Sequence, residues 1–314
     1  MKKVKSILLV INNRVDDQLA IERAKAMQKL TKCKLTVVKM VDNMCDIISA
    51  SMPFLPSQVK LKKLMLEDLQ KEVGKVVGKK SNELIKYKLL EGTAFLSITR
   101  EVMKHKHDLV IVSAEGQKKV DAGLFGSSNF HLLRKCPCSI WIVKPKEKKL
   151  CKNIVVAVDI DPTDKVKVDL NKKLMQSAIV MAKQFSATLH VLHAWQLYGE
   201  DTLKNSPFIH IDKSALAELL KSKKLVINQN FKSFLNEFES DDVEIIPEVK
   251  KGKISTMLPN YVRKNRIDLI VMGTVCRVGI SGFLIGNTAE AMLQKINCSV
   301  LAVKPDGFVS PVDC

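Results

Sequence analysis

The residues best suited to chemistry lie in one stretch, Asp268-Leu-Ile-Val-Met-Gly273-Thr-Val-Cys276-Arg277-Val-Gly279-Ile-Ser-Gly282-Phe-Leu-Ile-Gly286-Asn287-Thr288-Ala-Glu290. It reads as an apolar strand, a glycine-bearing loop and a helix start. In that layout backbone N–H groups can wrap an anion and a helix N-terminus can face it. Gly273 leaves the strand where a phosphate would approach the backbone, and a glycine there removes the Cβ and allows positive φ. Gly286 precedes Asn287 and Thr288, whose side chains can cap a helix and donate to a phosphate oxygen. Asp159, closing an earlier apolar run, can accept from an adenine amine or a ribose hydroxyl. Tight packing of a strand into a helix asks for the same two glycines, and spacing alone leaves both readings open.

Other reactive residue types form no catalytic set. No Ser-His-Asp or Cys-His arrangement falls on the expected loops. His190 and His193 are three apart on one strand, so they point to opposite faces and cannot share a metal. His105-Lys-His107 ends a helix, where a cationic ring suits the dipole. Cys276, beside Arg277, is a candidate redox-sensitive thiol. Cys136-Pro-Cys138 is a weak metal signal with no second pair nearby, and reads as structural or incidental. Eight cysteines in 314 residues do not make a disulfide framework, and without a signal peptide reduced thiols and a cytoplasmic location are expected. The net charge of +18 raises the question of nucleic acid. Only seven of the 51 basic residues are arginine, the side chain that forks onto phosphates, and the lysines are scattered. A solvated lysine-rich surface is the better account, and nucleic acid is not an expected partner. No apolar run reaches the roughly 18 residues of a membrane span.

The elements that must position these residues come in two copies. Sliding the chain by 160 residues lays Asp108–Pro145 on Asp268–Pro305 without a gap, with eleven of 38 pairs identical, among them Gly126/Gly286, Leu133/Leu293, Cys138/Cys298 and Lys144-Pro145/Lys304-Pro305. At the front the shift is 147, placing Ser6–Asn12 on Asn153–Asp159. Each copy reads as five apolar strands alternating with helical patterns: strands at 7–11, 35–41, up to Gly92, 109–112 and 139–143, then 154–158, 188–195, up to Gly252, 269–272 and 299–303. Continuous apolar strands between helices mean a parallel sheet covered on both faces. The expected fold is therefore α/β, two tandem doubly wound domains at 1–146 and 150–306 with a tail at 307–314, each with strand order 3-2-1-4-5. That order puts the switch point between the first and fourth strands, where Asp159 meets the glycine stretch. The short charged linker 144–151 predicts that the two domains pack together, and the tail is expected to be extended.

Gly273-x2-Cys276-x9-Gly286-Asn287 resembles the ATP loop of the universal stress protein family, G-x2-G-x9-G-[S/T], and Asp159 matches that family's first-strand aspartate. The resemblance covers the whole chain as two family domains and is nearest the tandem-domain, E-type members. It implies a non-catalytic protein of stress survival, including resistance to DNA-damaging agents, that binds a nucleotide or other small molecule. The implied binding residues are Asp159, Gly273, Arg277, Gly286, Asn287 and Thr288. No cofactor is fixed by this, and ATP in the second copy is what the pattern leaves open. The departures are Cys276 for the middle glycine and Asn287 for the last Ser/Thr. In the first copy Ser113 replaces the leading glycine and Asn12 the aspartate, while Gly116, Gly126 and Ser127 remain. The alternative is a pair of degenerate sites whose crevices hold an apolar or lipid-like ligand or serve protein–protein contacts. An intramolecular pseudo-dimer of the domains is expected, with further homodimers compatible with it, and no membrane partner.

Overall fold

Among the described residues, ten short strands and eight helices follow from the alternation of β-branched runs and amphipathic stretches. The computed structural model describes residues 4–12, 17–41, 58–78, 83–114, 126–144, 151–200, 202, 212–238, 242–274 and 287–313. In the first copy the strands are β1 (Ser6–Ile11), β2 (Lys34–Val41), β3 (Lys86–Glu91), β4 (Leu109–Ser113) and β5 (Ser139–Val143). Its helices are α1 (Asp17–Thr31), α2 (Gln58–Val77), α3 (Ala94–His105) and α4 (Ser127–Lys135). The second copy has β6 (Asn153–Val158), α5 (Lys165–Phe185), β7 (Thr188–Trp195), α6 (Lys213–Asn236), β8 (Ile245–Lys251), α7 (Ile254–Lys264), β9 (Leu269–Gly273), α8 (Asn287–Gln294) and β10 (Ser299–Val303).

The chain divides into two compact units. One holds Met1–Leu150 together with Thr274–Cys314, and the other Cys151–Gly273. In the first unit the parallel strands run β3-β2-β1-β4-β5, the expected order, and β10 adds antiparallel to β5 with Leu301 opposite Trp141. In the second unit β9, β6, β7 and β8 lie side by side, all parallel. The fifth strand of the second copy is thus hydrogen-bonded to the fifth strand of the first. Right-handed crossovers through this order put α1 and α2 on one face of the first sheet and α3 and α4 on the other, and each pair packs together. The central strands are buried on both faces: Leu8, Leu9 and Ile111 in one unit, and Val155, Val156 and Ile270 in the other, are 0% exposed. β3 and β8 end their units' sheets. Lys86 and Lys88 in β3 and Pro247 in β8 suit an edge, where charge and a missing N–H discourage further pairing.

The duplication repeats small devices as well as elements. Gly92 and Gly252, which end β3 and β8, both take positive φ (90° and 139°), and a Cβ on Gly252 would fall 2.8 Å from Met257 Sδ. Asp108 Oδ2 accepts from the N–H groups of Lys5 and Ser6 at 2.8 and 2.9 Å. Asp268 Oδ2 does the same for Lys152 and Asn153 at 2.7 and 3.0 Å. Each carboxylate satisfies two backbone donors at the start of a central strand, at the end of the sheet remote from the switch point.

The aligned lysines that end β5 and β10 are buried and exchange partners. Lys144 Nζ donates to Ile296 O at 2.6 Å and Asn297 Oδ1 at 3.1 Å, beyond the end of α8. Lys304 Nζ donates to Leu133 O in the last turn of α4. A cation at a helix C-terminus satisfies an orphan carbonyl and the dipole together. Arg134 and Glu290 add an ion pair between the same two helices. The tail is irregular but packed: Phe308 and Val312 are buried, Phe308 covers Lys304 Nζ at 4.2 Å, and Arg100 Nε donates to Asp313 O at 3.1 Å.

Asp268→Ala strips two strand N–H groups of their acceptor. It is expected to lower stability by about 1–2 kcal/mol in urea titration, and Asp108→Ala to do likewise. No change in the urea midpoint for either variant would show that the clamps are dispensable.

Candidate functional site

β6 and β9 lie side by side in parallel where the strand order reverses, with Asp159 just after β6 and Gly273 the last residue of β9. Asn171, on α5, holds the backbone of Asp159 from both sides: its Oδ1 accepts from Asp159 N at 3.1 Å and its Nδ2 donates to Asp159 O at 2.7 Å. The Asp159 carboxylate stays 69% exposed and meets the ammonium of Lys167 at 2.9 Å. Lys167 also reaches Asp161 Oδ2 at 3.5 Å. Burial works against the Lys167 charge, but hydrogen bonding and attraction to Asp159 and Asp161 raise its pKa above the ordinary lysine value. Hydrogen bonds from Thr163 hold the Asp161 carboxyl below its usual range.

Lys167, Leu170 and Asn171 sit on one face of the first turns of α5, three and four residues apart. Lys167 falls inside the helix because it starts before the apolar pattern does. The missed signal is Asp164, whose carboxylate accepts from the N–H groups of Val166 and Lys167 and caps the helix earlier. His193 underlies the turn after β6. Its ring is 3% exposed, lies 6.0 Å from the Phe231 ring and has Nδ1 3.2 Å from Val158 O, to which the Nδ1–H tautomer donates. His190 points to the other face and pairs with the Tyr261 hydroxyl at 2.8 Å, as the alternation along β7 requires.

Gly273 does not have positive φ, which corrects one of the two reasons for expecting glycine there. Instead, a Cβ at Gly273 would come within 2.9 Å of Leu170 Cδ2, so close packing of α5 onto β9 accounts for the missing side chain. The glycine loops 115–125 and 275–286 lie outside the described residues. Gly116, Cys276, Arg277 and Gly286 fall there. Asn287 and Thr288 begin α8, as the helix-start reading expects, but that helix belongs to the other compact unit.

In the first copy Asn12 follows β1 and its N–H donates to Asp17 Oδ2 at 2.8 Å. Gly126 takes an extended conformation (φ −60°, ψ 164°) before α4 and Ser127 opens it. The buried Asn129 donates to Ser113 O at 3.3 Å, tying the helix start to the end of β4. At the opposite end of that sheet His107 is buried, not a surface helix terminus as its position suggests. Its Nδ1 meets Ser6 Oγ at 2.7 Å, and burial lowers its pKa although Glu101 opposes this. Among the described residues no group of three or more His, Cys, Asp or Glu side chains is arranged to hold a metal ion, and no helix is long and apolar enough to cross a membrane.

The model of the universal stress protein family matches residues 3–144 and again 151–304. Universal stress protein E of Salmonella typhi is 26% identical, across 100% of this chain and 98% of its own length. A universal stress protein E homologue from Haemophilus influenzae is 25% identical across 96% of this chain and 98% of its own. A functionally unknown protein from Pseudomonas aeruginosa PAO1 has a similar structure, with TM-score 0.71 and 23% identity over 96% of this chain and 93% of that one. A putative universal stress protein from Pseudomonas aeruginosa UCBPP-PA14 gives 0.67 at 22% identity, over 96% and 94%. These structural likenesses fix the two-domain α/β fold.

Gly273→Ala is expected to cost about 1–2 kcal/mol through overpacking, with a coupling of about 1 kcal/mol to Leu170→Ala in a double-mutant cycle. Strict additivity would remove the packing role. Burial holds His190 and His193 below the ordinary imidazole pKa, so the unfolded chain takes up protons first as pH falls. Their contribution to stability is complete above ~6.5 and declines below it. Urea midpoints measured from pH 7 to pH 5 are expected to fall, and to fall less steeply in His193→Leu; an equal slope in that variant would clear His193 of the effect.

Proposed function

Because the chain belongs to the universal stress protein family, as two tandem copies, we propose that it is a protein of stress survival, including resistance to DNA-damaging agents, that works by binding and not by turnover. Its second copy takes a nucleotide, ATP in the first instance, at the carboxyl ends of β6 and β9. Its place of action is the cytoplasm. The observation that carries this reading is the Asp159 carboxylate: exposed, on a backbone fixed by Asn171, at the switch point of an open α/β sheet, where such folds place ligands.

In this reading Asp159 accepts from the ribose hydroxyls or the adenine amine. Gly273, Arg277, Gly286, Asn287 and Thr288 serve the phosphates, with Arg277 supplying charge and Thr288 a hydroxyl donor. Lys167 neutralises Asp159 in the absence of ligand and is near enough to turn to an anionic group. The first copy, with Asn12 in place of the aspartate, lacks the acceptor and is not the primary site. The pairing of β5 with β10 supports an intramolecular pseudo-dimer of the two copies.

A second reading has its own observation. Leu170 fills the space beside Gly273, so the turn serves packing and the crevice takes an apolar or lipid-like ligand or a protein surface. Mass spectrometry of gently purified protein separates the two, since near-stoichiometric ATP is expected only for the first. By calorimetry Asp159→Ala is expected to weaken ATP binding about tenfold, or roughly 1.4 kcal/mol. Unchanged affinity in that variant would refute the assignment of Asp159.

A further inference from the structure

The two thiols of Cys136-Pro-Cys138, which spacing alone makes incidental, are in contact. Their sulfurs are 3.6 Å apart, with a hydrogen bond between them that either atom can donate. Cys136 follows α4 and is fully buried, its N–H donating to Leu132 O at 2.9 Å. Cys138 is partly exposed. The buried ammonium of Lys304 is anchored beside them on Leu133 O, one turn before Cys136, with Phe308 closing over it.

We propose that Cys136 and Cys138 are a peroxide-responsive dithiol that closes to an intramolecular disulfide, with Lys304 as the group that holds one of the two sulfurs as thiolate. The attacking sulfur is Cys138, the one that solvent reaches, with the remaining proton of the pair on Cys136. Its thiolate attacks a peroxide oxygen, the O–O bond breaks, and Cys138 sulfenic acid forms as hydroxide takes a proton from solvent to leave as water. Cys136 sulfur then attacks the Cys138 sulfur. The S–O bond breaks, the S–S bond forms, and the Cys136 proton leaves with the hydroxyl as a second water. Two thiols supply two electrons and the peroxide takes both.

The electrostatics put the resting thiolate on Cys136, since burial and the neighbouring Cys136 sulfur push the Cys138 pKa well up; the hydrogen bond between the sulfurs, which either can donate, passes the proton across and presents the thiolate at Cys138. Burial of Cys136 disfavours its thiolate, but the Cys138 hydrogen bonds and the Lys304 charge outweigh it and bring the pKa below the ordinary thiol value. Burial pushes Lys304 down to about 8, with the two cysteines pulling it up. The duplication supplies an internal comparison. In the second copy Cys298 aligns with Cys138, but Ile296 stands where Cys136 would be, so the same framework carries a single buried thiol.

The test is hydrogen peroxide added to the full-length chain, followed by alkylation in denaturant and mass spectrometry of the peptide containing both cysteines. The expected product is that peptide about 2 Da lighter and unalkylated, with Cys298 still alkylated and the change reversed by dithiothreitol. Cys136→Ser is expected to stop at the sulfenic or sulfinic acid of Cys138 with no internal crosslink. Lys304→Met is expected to slow closure about tenfold at pH 7 and shift the rate profile to higher pH. Its fold is checked by circular dichroism, and if it does not fold, the wild-type profile decides: a rate already half-maximal below the ordinary thiol pKa supports the role of Lys304. Both cysteines remaining fully alkylated while other thiols oxidise, or closure at the rate of a solvent-exposed thiol with an ordinary pKa, would overturn the proposal.

Discussion

A buried ammonium must find a carbonyl, and two of them here find it in the other copy. Lys144 and Lys304 occupy matching places at the ends of β5 and β10, and each satisfies the end of the helix that belongs to its counterpart. Leaving such a charge unpaired costs several kcal/mol, so each lysine ties the antiparallel register of β5 and β10 to one arrangement. Trp141 opposite Leu301 and the Arg134–Glu290 pair depend on that same register. The compact unit containing them draws on both copies, although the repeat itself is linear in sequence.

This constraint frees the opposite ends of the sheets. Strand starts are secured by Asp108 and Asp268, and helix ends by left-handed residues at matching positions, Lys106 and Arg266. The carboxyl ends of the central strands are thereby left to loops, and there the copies have diverged most. One ends β1 with Asn12, whose N–H donates to the Asp17 carboxylate. The other ends β6 with Asp159 gripped twice by Asn171 and neutralised by Lys167.

Much of this was legible from residue order. Runs such as Ile154–Val158 and Leu269–Met272 admit little but buried parallel strands, and the strand order of the first unit follows from crossover handedness. Gly92 and Gly252 were legible as strand ends because the repeat aligns them, and both take positive φ. What escaped notice depended on side chains meeting across sequence distance. The Lys-Pro identity at 144 and 304 was visible, but nothing in a linear string says that each lysine serves the other copy's helix. Gly273 was ambiguous because a phosphate and a leucine methyl demand the same missing Cβ. The Cys136–Cys138 contact was hidden because a C-x-C string specifies separation along the chain and not the direction of either sulfur.

The division of the chain also bears on how it is made. One compact unit is interrupted: it begins at the N-terminus, pauses at Leu150, and resumes at Thr274. On the ribosome, the parallel strands β1 to β5 emerge well before the partner of β5 and the lysine that caps α4. The intervening unit, contiguous from Cys151 to Gly273, can condense in that interval, since domains generally fold as units during synthesis. Until β10 arrives, the β5 edge is an open template for another chain, so the time the ribosome takes from β5 to β10 sets how long the nascent protein is exposed to mispairing.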